Sequence, residues 1–316
     1  MKKFIIAFFL LLFALLFGIT WFFSTQVIYP EHRNYEDAAA MSFKRLGVRN
    51  DSLLNLFPAP TEFEVTSRVG DDVTLRGWHF AGVDSARCAF ILVHGYNGNR
   101  IGMMKYAQVL RDCGCDLYAF DHRAMGLSGG TFGSGGILEK EDLISVDSFV
   151  QATRGISAGR IAWLGESWGG AAVLEAGAMP GAHPAMIIAD SPFQDWETAI
   201  SERALVWYGG WTAYLLPAVF SLADWRAGMD HTQASPLLAA PDITAPTLVI
   251  HSAADIETAS GQAVAVGNAL PPATSETHIL DWGSYHAGNV VDRPEEYRQL
   301  ILNFRDRFAP GFGGCE

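Results

Sequence analysis

Charged residues are scarce in this sequence. Lys, Arg, Asp and Glu make up 18% of its 316 residues, against about 25% in a typical globular protein. The apolar fraction of 49% is too high for an intrinsically disordered chain, and no internal repeat or low-complexity tract is visible. Basic residues are fewer than acidic ones, 22 against 34, so the formal net charge is -12. Because an anionic surface repels phosphate backbones, we expect no nucleic-acid partner.

Cysteines are also few, namely Cys88, Cys113, Cys115 and Cys315. Four cysteines allow three pairings, and nothing in the sequence selects one of them. Cys113 and Cys115 are separated by a single glycine, but a zinc site would need two further ligands at suitable spacing, and no Cys/His pair supplies them. We therefore expect no metal site. The cysteines are expected to be buried or incidental thiols, and a disulfide is the alternative.

A long hydrophobic run begins the chain. Lys2 and Lys3 precede 20 uncharged residues, Phe4 to Phe23, and about 20 apolar residues in a helix span the hydrocarbon core of a bilayer. A cleavable signal has a shorter apolar region of about 7–15 residues and a small-residue cleavage site, which is missing here. We expect an uncleaved anchor, with a cleaved signal as the alternative. The two lysines favour a cytoplasmic N-terminus and an extracytoplasmic body.

The pattern of the body predicts an α/β fold. Two strands, Glu62–Val69 and Val73–Phe80, are joined by Gly70-Asp71-Asp72, which is a hairpin signal. Short apolar runs then alternate with helical stretches. The runs are Cys88–Val93, Asp116–Phe120, Arg160–Leu164, Ala185–Ala189, Thr247–Ile250 and Thr277–Leu280, and the predicted helices are Met103–Arg111, Lys140–Thr153, Gly170–Ala178 and Ala259–Ala269. Continuous apolar strands between helices indicate a mostly parallel sheet buried on both faces, here with an N-terminal antiparallel hairpin.

The strongest chemical signal is Gly165-Glu166-Ser167-Trp168-Gly169. It follows the apolar run that ends at Leu164 and precedes a small-residue helix. A strand, G-x-S-x-G and a helix in this order place a serine hydroxyl on a tight turn above the edge of a sheet. Ser167 is therefore the predicted nucleophile, and an incidental turn serine is the alternative.

Two backbone amides are candidates for an oxyanion hole. One donor in such enzymes is the amide after the nucleophile, here Trp168, and the other comes from a loop after an earlier strand. In this sequence that loop follows Val93, and Gly95 permits a tight turn that presents the amide of Tyr96. His94 lies at the strand end, where a structural role is favoured over a catalytic one.

The acid and the base are expected in the chain order Ser, Asp/Glu, His. Asp255 follows the buried run Thr247–Ile250 and is the predicted acid, with Asp190 and Asp281 as competitors. His286 follows the last strand in a loop that contains glycine, and it is the predicted base. The other histidines considered are His183, His231, His251 and His278, the last of which lies inside a predicted strand.

From about Phe63 to Phe308 the chain resembles serine hydrolases of the α/β-hydrolase fold. It is most similar to a membrane-anchored subgroup related to monoacylglycerol lipases, protein depalmitoylases and serine aminopeptidases. The resemblance rests on His94-Gly95, on Asp121-His122-Arg123 through Gly126-Leu127-Ser128-Gly129, on the serine turn, and on Asp255 and His286. Ala124 replaces the first glycine of the family's D-x-R-G-x-G-x-S motif, and Ser252 stands where glycine is frequent. Neither departure removes a catalytic atom.

A second uncharged stretch, residues 204–223, is long enough to span a membrane. One extra span would place Ser167 and His286 on opposite sides, so we interpret residues 192–240 as an inserted cap. Trp207, Trp211 and Tyr214 would share one helix face if the intervening glycines do not break the helix. They are the candidate substrate-binding residues of a membrane-facing acyl pocket, and a packed cap core is the alternative.

The predicted organisation divides the chain into four parts. They are an N-terminal membrane anchor (1–23), a juxtamembrane linker (24–60), the α/β-hydrolase domain with its cap (61–310) and a short tail (311–316).

The residues and the resemblance together imply a serine hydrolase of carboxylic esters or thioesters, with a small-molecule or lipid-like acyl substrate. The reaction would pass through an acyl-enzyme on Ser167, with His286 as base and Asp255 as acid. This chemistry needs no metal or organic cofactor. Because esters, thioesters and amides share this machinery, a serine peptidase of the aminopeptidase type is an alternative. A catalytically silent membrane-tethered binding module is the other.

Overall fold

One sheet forms the centre of the protein. The structure, a computed structural model, describes residues 1–70, 72–83 and 87–313. Within these residues, eight strands pair in the order β1-β2-β4-β3-β5-β6-β7-β8. Their bounds are Thr61–Thr66 (β1), Thr74–Phe80 (β2), Ala89–Val93 (β3), Asp116–Phe120 (β4), Ile161–Glu166 (β5), Met186–Asp190 (β6), Thr247–Ser252 (β7) and Ser275–Leu280 (β8). β2 pairs antiparallel with β1 and β4, and the other pairs are parallel.

Helices cover both faces of this sheet. They are Lys2–Ile28 (α1), Tyr35–Leu46 (α2), Asn50–Leu54 (α3), Met104–Leu110 (α4), Glu139–Arg154 (α5), Trp168–Gly177 (α6), Trp196–Tyr208 (α7), Leu216–Ala227 (α8), Pro236–Ala239 (α9), Ser260–Ala269 (α10), Asn289–Asp292 (α11) and Pro294–Phe308 (α12). Alternate side chains of a strand point to opposite faces. Phe90 and Leu92 accordingly pack with α4 and α12, whereas Ile91 and Val93 pack with α5, α6 and α10.

The predicted fold class is confirmed. All eight predicted strands and the four predicted helices of the body are present, with ends that differ by a few residues. The sequence analysis did not predict α12, a 15-residue helix with a buried apolar stripe. The antiparallel β1–β2 pair is present, but Asp71 of the predicted turn lies outside the described residues.

The first helix is longer than the predicted anchor. α1 runs from Lys2 to Ile28, and it is the one helix in the described chain that is long and apolar enough to cross a membrane. Its side chains are largely exposed up to Phe22, whereas Ser24, Val27 and Ile28 are buried against the body. The Gly133 N–H donates to the Ile28 carbonyl (2.9 Å). The last turn of the helix, predicted as linker, is therefore part of the folded body.

The cap prediction needs one correction. Helices α7 to α9 lie between β6 and β7, where the inserted segment was predicted. Gly209, at φ 88°, ends α7 after Tyr208, and a 3₁₀ turn follows from Gly210 to Tyr214. The shared helix face expected for Trp207, Trp211 and Tyr214 required an unbroken helix, and that condition is not met. A positive φ is readily available to glycine, so the break follows from Gly209 itself.

The favoured expectation for the cysteines is also wrong. Cys88 and Cys115 form a disulfide, and none of the described cysteines is a free thiol. These residues immediately precede the adjacent parallel strands β3 and β4, and the Asp116 N–H donates to the Cys88 carbonyl (2.9 Å). The disulfide therefore joins the two strand starts. Cys315 lies outside the described residues.

We predict that the double variant Cys88→Ala/Cys115→Ala is less stable than wild type by about 3 kcal/mol. The bond spans 27 residues, and a loop of this size restricts the unfolded chain by about that free energy. Urea unfolding of the detergent-solubilised chain, followed by tryptophan fluorescence, measures the difference. Equal midpoints and slopes for the two proteins would contradict the prediction.

Candidate active site

A strained turn carries Ser167 between β5 and α6. Its backbone lies at φ 52° and ψ -114°, a region that residues with a Cβ rarely adopt. The Ser167 N–H donates to the Asp190 carbonyl (2.8 Å), which fixes the turn to the end of β6. The hydroxyl consequently stands at the carboxyl edge of the sheet, where the parallel strands end.

Two glycines make this turn sterically possible. A Cβ on Gly165 would lie 2.1 Å from the Gly169 carbonyl oxygen, and a Cβ on Gly169 would lie 2.1 Å from the Val93 carbonyl oxygen. Real Cβ atoms do not approach other atoms so closely, and the contacts are with backbone, which cannot rotate away. The G-x-S-x-G pattern is thus a packing requirement of three backbone segments around Ser167.

Asp255 and His286 come together at the ends of β7 and β8. The ring Nδ1 of His286 lies 2.6 Å from Asp255 Oδ2. An ionised carboxylate only accepts hydrogen bonds, so Nδ1 donates and Nε2 carries the lone pair. That Nε2 atom is buried and has no hydrogen-bond partner among the described residues. Ser167 and His286 line one cavity, so a hydroxyl and a base are present at the same site.

The Asp255 carboxylate is held in its charged form. Its Oδ1 accepts the N–H groups of Glu257 (2.9 Å) and Thr258 (3.0 Å). Burial alone would raise the pKa of this carboxyl, but the His286 and His251 rings and the Thr258 amide outweigh burial and hold it well below its usual range. A charged Asp255 can orient the His286 ring and stabilise its protonated form.

His251 is a second imidazole on the same carboxylate, and the sequence analysis gave it no role. Its Nε2 lies 2.9 Å from the Thr258 carbonyl and 3.2 Å from Asp255 Oδ2. Burial lowers the pKa of this ring, but Asp255 and the Thr258 carbonyl outweigh burial, so the pKa is raised. His251 lies at the end of β7 and contacts the same carboxylate oxygen, Oδ2, as His286 does.

The loop after β3 faces the serine turn. A hydrogen bond from the Gly98 N–H to the Gly95 carbonyl (3.1 Å) closes a turn with Asn97 at φ 56°. A Cβ on Gly95 would lie 3.3 Å from Ser167 Cβ, so the two segments are in close contact. The Tyr96 ring stacks on Trp168 with centroids 5.1 Å apart. The two predicted oxyanion donors therefore lie on neighbouring loops beside Ser167.

The competing acid and base candidates have other partners. Asp190 accepts the hydroxyls of Tyr106 (3.0 Å) and Tyr297 (2.8 Å) in the core. His278 lies on β8 beside Glu276 (3.1 Å). His94 is fully buried, and its Nε2 accepts the His122 N–H (2.9 Å), which is a structural contact between two loops.

Lys105 connects the nucleophile strand to the histidine loop, and the sequence analysis did not identify it. Its Nζ lies 2.6 Å from Glu166 Oε2 and donates to the Ala287 carbonyl (3.0 Å). Burial would raise the pKa of the Glu166 carboxyl, but the Lys105 ammonium outweighs burial and lowers it. The Glu166 carboxylate is therefore charged next to Ser167. Lys105 lies 182 residues from Ala287 in sequence, so no local pattern could have indicated the contact.

The cavity above Ser167 has a volume of about 530 Å³. Of the predicted site residues, Tyr96, Ser167, Trp168, His286 and Trp207 line it, and Asp255 lies behind His286. Trp211 and Tyr214 do not line this cavity, and the Tyr214 side chain is 89% exposed. Tyr214 is therefore not part of this cavity. Trp211 lines a separate groove on α1, described below.

Within the described residues, one group has the spacing of a metal site: Asp224, Asp230 and His231 on the cap. None of the three lines the cavity. His231 Nδ1 already bonds Asp224 Oδ2 (2.8 Å) at the end of α8. We assign this group to the structure of the cap.

We predict that a fluorophosphonate probe labels Ser167 and that labelling is lost in Ser167→Ala. His286→Ala should slow labelling by about 10³-fold or more, because the serine loses its proton acceptor. His278→Ala is the matched control, since that ring lies outside the cavity, and it should react like wild type. Intact-protein mass spectrometry against time gives the rates. Normal labelling of His286→Ala with loss in His278→Ala would reverse the assignment.

Comparisons with known proteins place this arrangement in a family. A family model described as serine aminopeptidase, S33, matches residues 84–236. Protein YqkD of Bacillus subtilis is 31% identical over 249 residues, which cover 78% of this chain and 79% of that protein. Protein YfhR of Salmonella typhimurium is 32% identical over 124 residues, 38% of this chain and 42% of its own length.

Solved structures give the same fold. The Pyrococcus furiosus esterase Pf2001 superposes with a TM-score of 0.63 at 21% identity, over 82% of this chain and 95% of that chain. The Pyrococcus horikoshii acylaminoacyl peptidase superposes with a TM-score of 0.60 at 18% identity, over 83% of this chain and 44% of that chain. The family model covers the region of Ser167, YqkD matches most of the chain, and the solved structures share the fold. The chain therefore belongs to the α/β-hydrolase family of serine hydrolases.

Proposed function

We propose that this hydrolase is a membrane-anchored esterase or thioesterase that cleaves acyl substrates at Ser167. The observation that carries the proposal is the His286 ring. Its Nδ1 is held by Asp255 (2.6 Å), and its Nε2 has no partner in the described chain, at a cavity shared with Ser167. This is the arrangement that a general base needs to activate a serine.

Each residue has one task in the proposed mechanism. Ser167 Oγ attacks the substrate carbonyl while His286 Nε2 takes its proton, and Asp255 stabilises the imidazolium that forms. The amides of Tyr96 and Trp168 hold the oxyanion of the tetrahedral intermediate. His286 then returns the proton to the leaving alcohol or thiol, and the acyl group stays on Ser167. Water, deprotonated by His286, hydrolyses this ester and releases the acid.

The walls of the cavity support an acyl substrate. One side is built from aromatic and aliphatic side chains of α1, the cap and the loop before it. They are Phe23, Val27, Phe193, Trp196, Ile200, Trp207, Tyr208, Leu216 and Val219. An apolar lining of this extent binds hydrocarbon, at about 0.8 kcal/mol for each methylene removed from water.

The family model's description makes a peptidase the second candidate. An aminopeptidase must bind the substrate's ammonium group, and an unpaired carboxylate is the natural partner. Three carboxylates line the described cavity, and each already faces a cation: Glu31 with Arg33, Glu166 with Lys105, and Glu257 with Arg45 and Arg203. These pairings favour a neutral acyl ester over a charged peptide N-terminus.

The proposed location is the extracytoplasmic side of a membrane. α1 is long enough to span a bilayer, and Lys2 and Lys3 at its start favour a cytoplasmic N-terminus. The Cys88–Cys115 disulfide supports this orientation independently, because such bonds persist in oxidising compartments.

We predict that the full-length protein in detergent prefers medium-chain esters. The ratio of kcat/KM for p-nitrophenyl octanoate to that for p-nitrophenyl acetate should exceed about tenfold, because the added methylenes leave water. Trp207→Ala should lower this ratio. Trp225→Ala is the matched control, since Trp225 is 75% exposed on the cap and does not line the cavity. A preference for acetate, or faster cleavage of aminoacyl amides, would refute the acyl proposal.

We also predict that a reporter fused after Glu316 is active outside the cytoplasm. Expression in Escherichia coli with alkaline phosphatase, which folds only under oxidising conditions, should give activity. A green fluorescent protein fusion at the same position reports cytoplasmic location and serves as the paired measurement. Fluorescence without phosphatase activity would overturn the proposed orientation.

A further inference from the structure

The membrane helix forms part of the active-site wall. Phe23, Gln26 and Val27 of α1 line the cavity that holds Ser167. The Tyr96 hydroxyl donates to the Gln26 carbonyl (2.7 Å), and Val27 is buried. The proposed oxyanion loop is therefore in direct contact with the anchor, which is more than a tether.

A groove on α1 leads to this wall. It has a volume of about 450 Å³ and is lined by Ala14, Leu15, Gly18, Ile19, Phe22, Phe23 and the cap residue Trp211. The helix positions are spaced by three and four residues, so they share one face. Every lining residue is apolar or glycine, and the segment from residue 14 to 23 extends about 14 Å along the helix axis.

Phe23 joins the groove to the cavity, because it lines both. Its ring lies edge-on to Tyr208 (5.0 Å between centroids) and to Trp211 (6.0 Å). An apolar surface thus continues from the membrane-spanning part of α1, past Trp211 and Phe23, to the lining of the Ser167 cavity.

Gly18 supplies open space within the groove. A Cβ at this position would meet no atom within 4 Å. Larger residues flank it along the helix face, with Ala14 and Leu15 on one side and Phe22 on the other. The absent side chain leaves a notch in a helix otherwise rich in Leu and Phe.

The cap and the helix are fixed together, which keeps the groove in place. The Arg226 guanidinium of α8 donates to Ser24 Oγ (2.6 Å) and Thr25 Oγ1 (2.9 Å). It also lies over the Trp21 ring, 4.0 Å from its centroid. These contacts join the end of α1 to helix α8 of the cap.

Another part of the cavity lining is polar. Glu257 there bonds Arg45 and Tyr285, and it pairs with Arg203 (3.2 Å). A substrate with a hydrocarbon chain and a polar leaving group therefore finds an apolar surface along α1 and a polar one beside α2.

We propose that this groove binds the acyl chain of a lipid-embedded ester or thioester, so that substrate reaches Ser167 from the bilayer along α1. The inference rests on the proposed esterase function. The occupant is a single acyl chain because the groove is apolar throughout, lies on the membrane-spanning helix and is continuous with the cavity. A soluble acyl ester would instead reach Ser167 directly from water and would not need the groove.

The test fills the groove in the full-length protein. Wild type, Gly18→Leu and Ala7→Leu are reconstituted in phosphatidylcholine vesicles and assayed with p-nitrophenyl palmitate and p-nitrophenyl acetate. Ala7 also lies on α1 but outside the groove, so Ala7→Leu adds the same kind of bulk as a matched control. The palmitate-to-acetate ratio of kcat/KM should fall about tenfold or more in Gly18→Leu and stay at the wild-type value in Ala7→Leu.

The possible outcomes separate the two proposals. If Gly18→Leu keeps the wild-type ratio, or loses both activities in proportion, the groove does not bind the acyl chain, although the esterase proposal stands. An equal fall of the ratio in Ala7→Leu also overturns the groove, because bulk anywhere on α1 would then suffice. If wild type cleaves neither ester while its Ser167 still reacts with the fluorophosphonate probe, the esterase proposal itself fails.

Discussion

The candidate site depends on the close approach of three backbone segments around Ser167. β5, the start of α6 and the end of β3 come so near one another that a Cβ at Gly165 or Gly169 would overlap a carbonyl oxygen. This contact forces the positive φ of Ser167 and lifts its hydroxyl above the sheet. The buried sheet below this turn and the cap residues packed on Trp168 above it hold the strained conformation in place.

Around this turn, the charged groups are buried in pairs or in larger sets. Asp255 accepts two backbone amides and faces two imidazoles, and Lys105 bonds both Glu166 and the Ala287 carbonyl. A buried charge is costly unless it is paired, so these contacts also determine where the loops can lie. The Lys105 contacts bring the histidine loop and the nucleophile strand together before any substrate binds.

The third constraint is the position of the first helix, α1. A tether alone would need no contact with the body, but the end of α1 is buried against the cap and the loop after β3. The cavity that holds Ser167 therefore lies at the C-terminal end of this long apolar helix. Trp211 of the cap contacts the same end of the helix through the Phe23 ring.

The sequence by itself determined the alternation of strands and helices, because apolar periodicity depends on neighbouring residues. It also predicted the turn at Ser167 and the candidates Asp255 and His286, since each follows a recognisable strand. The tertiary structure decided which of these residues meet, and it revealed contacts of His251, Lys105, Cys88 with Cys115, and α1 with Tyr96. The Lys105, cysteine and α1 contacts join residues 27 to 182 positions apart, and His251 is brought to Asp255 by the turn after β7. The Lys105, cysteine and α1 contacts arise only when the fold brings distant segments together, so no local pattern of residues encodes them.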